Sequence, residues 1–136
     1  MRELKWLVQK FPPHWEFRKA LIKLKLTKAK IVPKPWGREV WFAEENEYAG
    51  KILEINKGVR TSLHYHKKKK ETMYILEGRI EMTLSDRKII MEGGDTITLE
   101  PGDVHRMVAL EDTKILEAST PELEDVVRIE DDHGRE

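Results

Sequence analysis

The sequence predicts an all-β protein whose strands form a jelly-roll barrel behind a helical N-terminal extension. From about residue 31 onward, short stretches of alternating apolar and polar residues are bounded by Gly, Pro, Asn or Asp, which is typical of strands and turns. Seven or more short strands, with no helical crossover and no internal repeat, favour a sandwich or jelly roll over a parallel α/β sheet. The predicted strands cover residues 51–55, 71–76, 79–84, 88–91, 96–99, 106–110 and 114–118.

The chain has 136 residues, of which 39% are hydrophobic, and this length suits a single core. We predict a basic helical extension over residues 1–33, a barrel over residues 34–120 and an acidic tail over residues 121–136 that packs on the barrel. Within the extension, residues 1–10 and 14–26 have the apolar periodicity of helices, and two prolines separate them.

Charge is unevenly distributed along the chain. Residues 1–35 contain ten Lys and Arg and two acids, whereas residues 36–136 contain fifteen and twenty-three, so the two parts carry net charges of +8 and −8. These parts can attract each other within one chain or between two subunits. The basic part has no recognisable nucleic-acid-binding motif, and its lysines are interspersed with core-like apolar residues. We therefore expect no nucleic-acid partner.

The chain contains no cysteine, so any metal ion must be held by nitrogen and oxygen ligands. No stretch approaches the length of about 18 apolar residues that a bilayer-spanning helix needs, and the basic N-terminus lacks an apolar signal core. We expect a soluble, cytoplasmic protein that has no membrane partner.

Three of the five histidines lie in a spaced pattern with one glutamate. His64 and His66 are two residues apart, so that in a strand both imidazoles point to the same side. Glu71 follows after a gap that allows a turn, and His105 follows the turn-forming residues 101–103. An isolated His-x-His pair is more often two solvated strand histidines, but the four side chains together suit one divalent ion: Zn, Mn, Fe or Ni.

The spacing of these residues resembles the two sequence motifs of the cupin superfamily. Residues 58–78 have the pattern G-x5-H-x-H-x4-E-x6-G, which matches the first motif at each fixed position. For the second motif, Gly102 lies three residues before His105, but Pro101 is displaced by one position and Ala109 replaces the usual Asn. The resemblance implies a cupin-type double-stranded β-helix with these three histidines and the glutamate as metal ligands.

Three segments resemble the cupin domain of type II mannose-6-phosphate isomerases: KPWG at 34–37, SLHYH at 62–66 and EDVVRIEDDHGR at 124–135. The family often has Gln where this chain has His64, and commonly Tyr where it has His133. Larger members carry a nucleotidyltransferase domain ahead of the cupin, which the first 33 residues do not match, so the chain resembles a stand-alone cupin domain. Dimers are common in this family, and we expect a homodimer.

The resemblance implies aldose–ketose isomerisation of a small phosphosugar such as a hexose phosphate. The metal would polarise substrate oxygens while a base moves a proton between adjacent carbons, but the sequence identifies no base. We predict Arg60 and Lys69 as phosphate-binding residues, and Met73 and Met107 as residues that line the substrate pocket. The alternatives are a solvated turn over residues 67–70 and methionines that simply fill the barrel.

Two other functions remain open. The missing base and the missing partner domain suggest a non-catalytic cupin that binds a sugar or another metabolite. Three histidines and one glutamate also suit an Fe- or Mn-dependent, dioxygenase-like cupin. The barrel does not choose among these functions, because one fold hosts many chemistries.

Overall fold

The structure, a computed structural model, describes residues 25–135 of the chain. Its strands are β1 (Lys30–Lys34), β2 (Gly37–Glu44), β3 (Ala49–Ile55), β4 (Leu63–Tyr65), β5 (Glu71–Glu77), β6 (Arg79–Leu84), β7 (Arg87–Glu92), β8 (Thr96–Leu99), β9 (His105–Ala109), β10 (Thr113–Ser119) and β11 (Val127–Glu130). The predicted N-terminal helices lie outside the described residues, apart from residues 25 and 26, which belong to no regular element. Within the described range, no helix is long and apolar enough to cross a membrane.

The strands form two antiparallel sheets. The six-stranded sheet has the order β1-β2-β3-β10-β5-β8, and the five-stranded sheet has the order β11-β4-β9-β6-β7. Strands far apart in sequence, such as β3 and β10, are neighbours, as expected when the chain passes back and forth between two facing sheets. The prediction of an all-β jelly-roll fold is confirmed.

The two ends of the described chain both contribute to the sheets. β1 pairs with β2 along its whole length, although four of its five residues precede residue 34, where the barrel was predicted to begin. β11 lies in the predicted acidic tail and pairs with β4, the strand that carries His64. The tail therefore forms part of the sheet that supports the candidate site.

Alternation along the strands builds the core between the two sheets. In β5, Met73 and Ile75 are 2% and 0% exposed, whereas Tyr74 and Leu76 are 43% and 44% exposed. Burial of each such apolar side chain contributes about 1.5–3 kcal/mol. Glu71 begins the same strand on its buried face, so the alternation that builds the core also turns this carboxylate inward.

The tight turn after β5 requires glycine at position 78. Gly78 has a φ of +93°, and a Cβ atom there would lie 2.4 Å from Oγ1 of Thr113 and 2.5 Å from the carbonyl oxygen of Asp112. Any other residue would be both strained and obstructed. This explains the glycine that closes the pattern over residues 58–78.

Candidate metal centre

Three histidines and one glutamate meet inside the barrel. His64 lies in β4, His66 follows that strand directly, and Glu71 and His105 are the first residues of β5 and β9. His64 and His105 are register partners in adjacent strands, so their side chains project from the same face of the sheet. The structure thus brings together the four residues that the sequence predicts as metal ligands.

The four side chains are in close contact. The ring centroid of His64 lies 4.3 Å from that of His105 and 5.1 Å from that of His66. Oε1 of Glu71 lies 3.3 Å from Nε2 of His66 and 3.4 Å from Nε2 of His105. His66, Glu71 and His105 are buried, and His64 is partly exposed. One nitrogen from each imidazole lies within 4.8 Å of the others, so the three rings can hold a metal ion.

Backbone carbonyl groups hold the second nitrogen of each ring. In His64 and His105, Nδ1 lies 2.9 Å from the carbonyl oxygen of the residue two positions earlier. Nδ1 of His66 contacts the carbonyl oxygen of Asp125 in the tail. A carbonyl oxygen only accepts hydrogen bonds, so Nδ1 carries the proton in each ring and Nε2 keeps its lone pair. Histidines that bind metals usually make this second hydrogen bond.

Asp125 also fixes the turn that follows His66. Its carboxylate accepts hydrogen bonds from the backbone N–H groups of Lys67, Lys68 and Lys69 at 3.2, 2.7 and 3.0 Å. The acidic tail therefore positions one imidazole and, through the same residue, the turn that leads into β5.

The arrangement of these atoms fits a cation. With Nδ1 protonated, Nε2 of His66 and Nε2 of His105 each face the carboxylate oxygen of Glu71, at 3.3 and 3.4 Å, with no proton between the two acceptors. Nε2 of His105 is buried and has no hydrogen-bond partner among the described residues. Adjacent ligands of a tetrahedral ion with bonds of about 2.1 Å lie about 3.4 Å apart. The donor set suits a divalent transition metal.

Electrostatics keep these groups in the protonation states that bind metals. Burial, together with the neighbouring His105, lowers the pKa of His64 to about 3. Burial opposes ionisation of Glu71, but the positive charge of Lys69 beside it favours ionisation, and the pKa of Glu71 lies well below its usual range. Neutral imidazole and ionised carboxylate are the forms that coordinate a metal ion.

We expect His64 to make the metal-free protein less stable in acid. The pKa of His64 is about 3 in the folded protein and about 6.5 in an unfolded chain. Between these values the unfolded chain binds a proton that the folded chain does not, so stability decreases as pH falls. Urea unfolding between pH 6.5 and 5 checks this, because His64→Gln should remove up to about 1.4 kcal/mol per pH unit of that loss. Equal pH dependence in both proteins would contradict the expectation.

A row of alternating charges continues from the candidate metal centre across the barrel interior. Nζ of Lys69 lies 2.7 Å from Oε2 of Glu71 and 2.8 Å from Oε2 of Glu117. Nζ of Lys51 lies 3.8 Å from Oε2 of Glu117 and 2.7 Å from Oε2 of Glu39. All five residues are buried. Because an unpaired buried charge costs several kcal/mol, each charge in this row depends on its neighbours.

Glu117 and Lys69 respond differently to their buried setting. Burial raises the pKa of Glu117 to about 7, and the nearby charge of Glu71 adds to this effect. Burial alone would lower the pKa of Lys69, but the carboxylates of Glu117 and Glu71 outweigh burial and raise it. Glu117 can therefore exchange a proton near neutral pH while Lys69 stays charged.

The centre opens into a cavity of about 560 Å³. Among the residues predicted to bind substrate, Lys69, Met73 and Met107 line this cavity, and the two methionines also belong to the buried core. Arg60 is not among the lining residues. It forms an exposed ion pair in which its Nη2 donates to Oδ1 of Asp132 at 2.7 Å. The structure thus pairs Arg60 with the tail rather than with the cavity.

Three of the interior charges, Glu39, Lys51 and Glu117, were not identified from the sequence. The strand pattern contained the signal. Lys51, Leu53 and Ile55 occupy every second position of β3, and all three side chains are buried on one face of the strand. A charged residue on the apolar side of an alternating strand is therefore a marker of an interior charge network.

The chain matches one protein family over half its length. The Cupin domain family model covers residues 51–118, and the chain therefore belongs to the cupin family. This confirms the broader part of the resemblance seen in the sequence motifs.

Two relatives match parts of the chain. An uncharacterized protein of Methanocaldococcus jannaschii is 44% identical over 50 residues, which are 37% of this chain and 40% of that protein. The mannose-1-phosphate guanylyltransferase of Sinorhizobium fredii is 25% identical over 108 residues, which are 76% of this chain and 21% of that protein. The chain thus spans less than half the length of each of these relatives.

Solved structures share the fold at low sequence identity. An RmlC-like cupin from Shewanella frigidimarina superposes with a TM-score of 0.66 and 17% identity, covering 84% of this chain and 96% of that chain. The nucleoside dehydratase Pac13 of Streptomyces superposes with a TM-score of 0.68 and 13% identity, covering 80% and 92%. At these identities the likeness supports the fold and does not assign a reaction.

Proposed function

We propose that the protein is a metal-dependent isomerase that interconverts the aldose and ketose forms of a phosphorylated sugar. The observation that carries this proposal is the position of Lys69, whose Nζ contacts the carboxylates of Glu71 and Glu117 at 2.7 and 2.8 Å. Glu117 lines the same cavity as His64 and Glu71 of the metal centre. One bound molecule can therefore face both the centre and a carboxylate that accepts protons.

This reaction moves a proton between adjacent carbons while negative charge develops on oxygen. A divalent ion in the centre would supply Lewis acidity toward that oxygen. Glu117 is the candidate acid–base group, since it is buried in the cavity wall and its pKa lies near neutrality. Lys69 beside it stays positively charged and would stabilise the developing negative charge.

Two features support the substrate class. The relative in Sinorhizobium fredii, similar over 76% of this chain, is named for a sugar phosphate. The cavity, at about 560 Å³, falls within the range of about 300–1,000 Å³ that is usual for small-molecule sites. Mannose 6-phosphate is therefore the first substrate to test.

We expect the full-length protein, loaded separately with zinc, manganese, iron or nickel, to convert mannose 6-phosphate into fructose 6-phosphate with at least one ion. Product should disappear after chelation, because the polarising cation is lost. Absence of product with all four ions would contradict the isomerase. Binding of hexose phosphate without turnover would instead favour the non-catalytic cupin, and oxygen consumption would favour the dioxygenase-like alternative.

Glu117→Gln is expected to lower kcat by about 10²–10⁴-fold while metal content stays unchanged. The amide keeps the size of the side chain and removes its ability to accept a proton. Glu77→Gln is the matched control, since Glu77 is exposed and pairs with Lys114 outside the cavity. A kcat for Glu117→Gln equal to that of the control would remove Glu117 from the mechanism.

A further inference from the structure

Arg128 lies in line with the metal centre across the five-stranded sheet. It is the register partner of His64, which is in turn the register partner of His105. Residues aligned in this way project from the same face of a sheet, and Arg128 lines the cavity together with His64. At a strand spacing of about 4.8 Å, the backbones of Arg128 and His105 are about 10 Å apart. A molecule of sugar size can thus contact both the centre and this arginine.

A second arginine of the tail also lines the cavity. Arg135 is held in place by Asp131, with Nε and Nη2 donating to the two carboxylate oxygens at 3.0 and 2.9 Å. Burial and the like charge of Arg135 lower the pKa of Arg128, while Asp131 and Glu39 oppose that shift. Arg128 therefore lies in a partly desolvated and positively charged part of the wall, where a bound anion is favoured electrostatically.

The balance of charge along the cavity wall also favours an anion. Among the described residues, six Lys and Arg line the cavity against four Glu, and one of the six, Arg135, is paired with Asp131 behind the wall. Three of those glutamates, Glu39, Glu71 and Glu117, already contact interior lysines. Of the cavity-lining cations, Arg128 and Arg135 are the ones that the tail contributes.

We propose that Arg128 and Arg135 form the anion subsite of the cavity, which binds the phosphate group of a phosphorylated sugar whose other oxygens face the metal centre. The assignment of a sugar as the carrier rests on the function proposed above. Guanidinium groups suit this task because their planar fork donates two parallel hydrogen bonds to phosphate oxygens. The phosphate-binding role predicted for Arg60 thus passes to arginines of the tail.

Calorimetric titration of the full-length protein tests the subsite, with inorganic phosphate, mannose 6-phosphate and mannose as probes. We expect mannose 6-phosphate to bind more tightly than mannose, and Arg128→Gln to weaken phosphate and mannose 6-phosphate binding by at least about tenfold, as loss of a charged hydrogen bond should. Mannose binding should not change. Arg128→Lys should recover part of the affinity, since it keeps the charge without the fork.

Arg60→Gln is the matched control, because it removes a guanidinium that pairs with the tail outside the cavity. Arg135→Gln gives a second test if Arg128→Gln does not fold. Equal affinity for phosphate in the wild type and in both cavity variants, or no phosphate binding by the wild type, would overturn the subsite. Turnover with an unchanged KM in Arg128→Gln would also overturn the subsite and leave the isomerase standing. Loss of phosphate binding in Arg128→Gln, with a wild type that never turns over, would support the subsite alone.

Discussion

Replacing His105 with alanine is expected to remove nearly all tightly bound metal from the protein. His105 is 0% exposed, and its Nε2 faces Oε1 of Glu71 at 3.4 Å, so the variant loses one of the four candidate ligands. Removing a residue that only hydrogen-bonds to a metal ligand lowers metal affinity about 10–100-fold. Removing the ligand itself should lower the affinity further. Elemental analysis after loading and dialysis, together with titration against a competing chelator, measures the effect.

His133→Ala is the matched control for this experiment, since His133 is exposed and does not line the cavity. His66→Ala should repeat the loss of metal from a second position. Circular dichroism of each variant separates loss of a ligand from loss of the fold, because alanine at a buried site leaves a void. Wild-type metal content in folded His105→Ala and His66→Ala proteins would contradict the assignment of these residues as metal ligands.

Replacing Lys69 with alanine should lower the free energy of unfolding by about 3–5 kcal/mol. The Lys69 side chain is 2% exposed, and its ammonium group lies between Glu71 and Glu117, so its removal leaves two buried carboxylates without their shared cation. The pKa of Glu117 is about 7 with Lys69 present, and loss of the cation raises it further. Protonation of Glu117 should therefore relieve part of the loss as pH falls from 8 to 5. Urea denaturation at both pH values checks the size and the pH dependence.

Lys70 provides the control one residue away. Its Nζ lies 3.0 Å from Oε1 of Glu100, and the two side chains are 55% and 57% exposed, so Lys70→Ala should cost less than about 1 kcal/mol. Adding Glu117→Gln to Lys69→Ala should recover stability, because it removes one of the two uncompensated charges. A Lys69→Ala protein as stable as Lys70→Ala would show that the interior row does not hold the fold together.

The sequence allowed the candidate centre to be assembled because its spacing is local. Alternation along one strand puts His64 and His66 on the same side, and a turn of four residues brings Glu71 back beside them. His105 needed only the additional expectation that a strand begins after Gly102 and Asp103. The jelly roll itself followed from short alternating strands and their turn residues.

The interior charges were not predicted because they depend on strand register. Lys51 and Glu117 are partners in β3 and β10, which are separated by more than 50 residues, and no local pattern sets that pairing. Arg60 illustrates the same limit. Arg60 pairs with Asp132, whose position depends on where the tail packs against the sheet. The residues near position 60 do not allow that packing to be predicted.

The hydrogen bond from Nδ1 of His66 to the carbonyl of Asp125 shows that the candidate site depends on residues beyond the segment that matches the cupin domain family. The family model ends at residue 118, and a chain cut there would still contain all four side chains of the centre. It would lack the carbonyl that fixes one tautomer and the carboxylate that shapes the turn after His66. The smallest piece worth grafting onto another scaffold is therefore longer than the domain that defines the family.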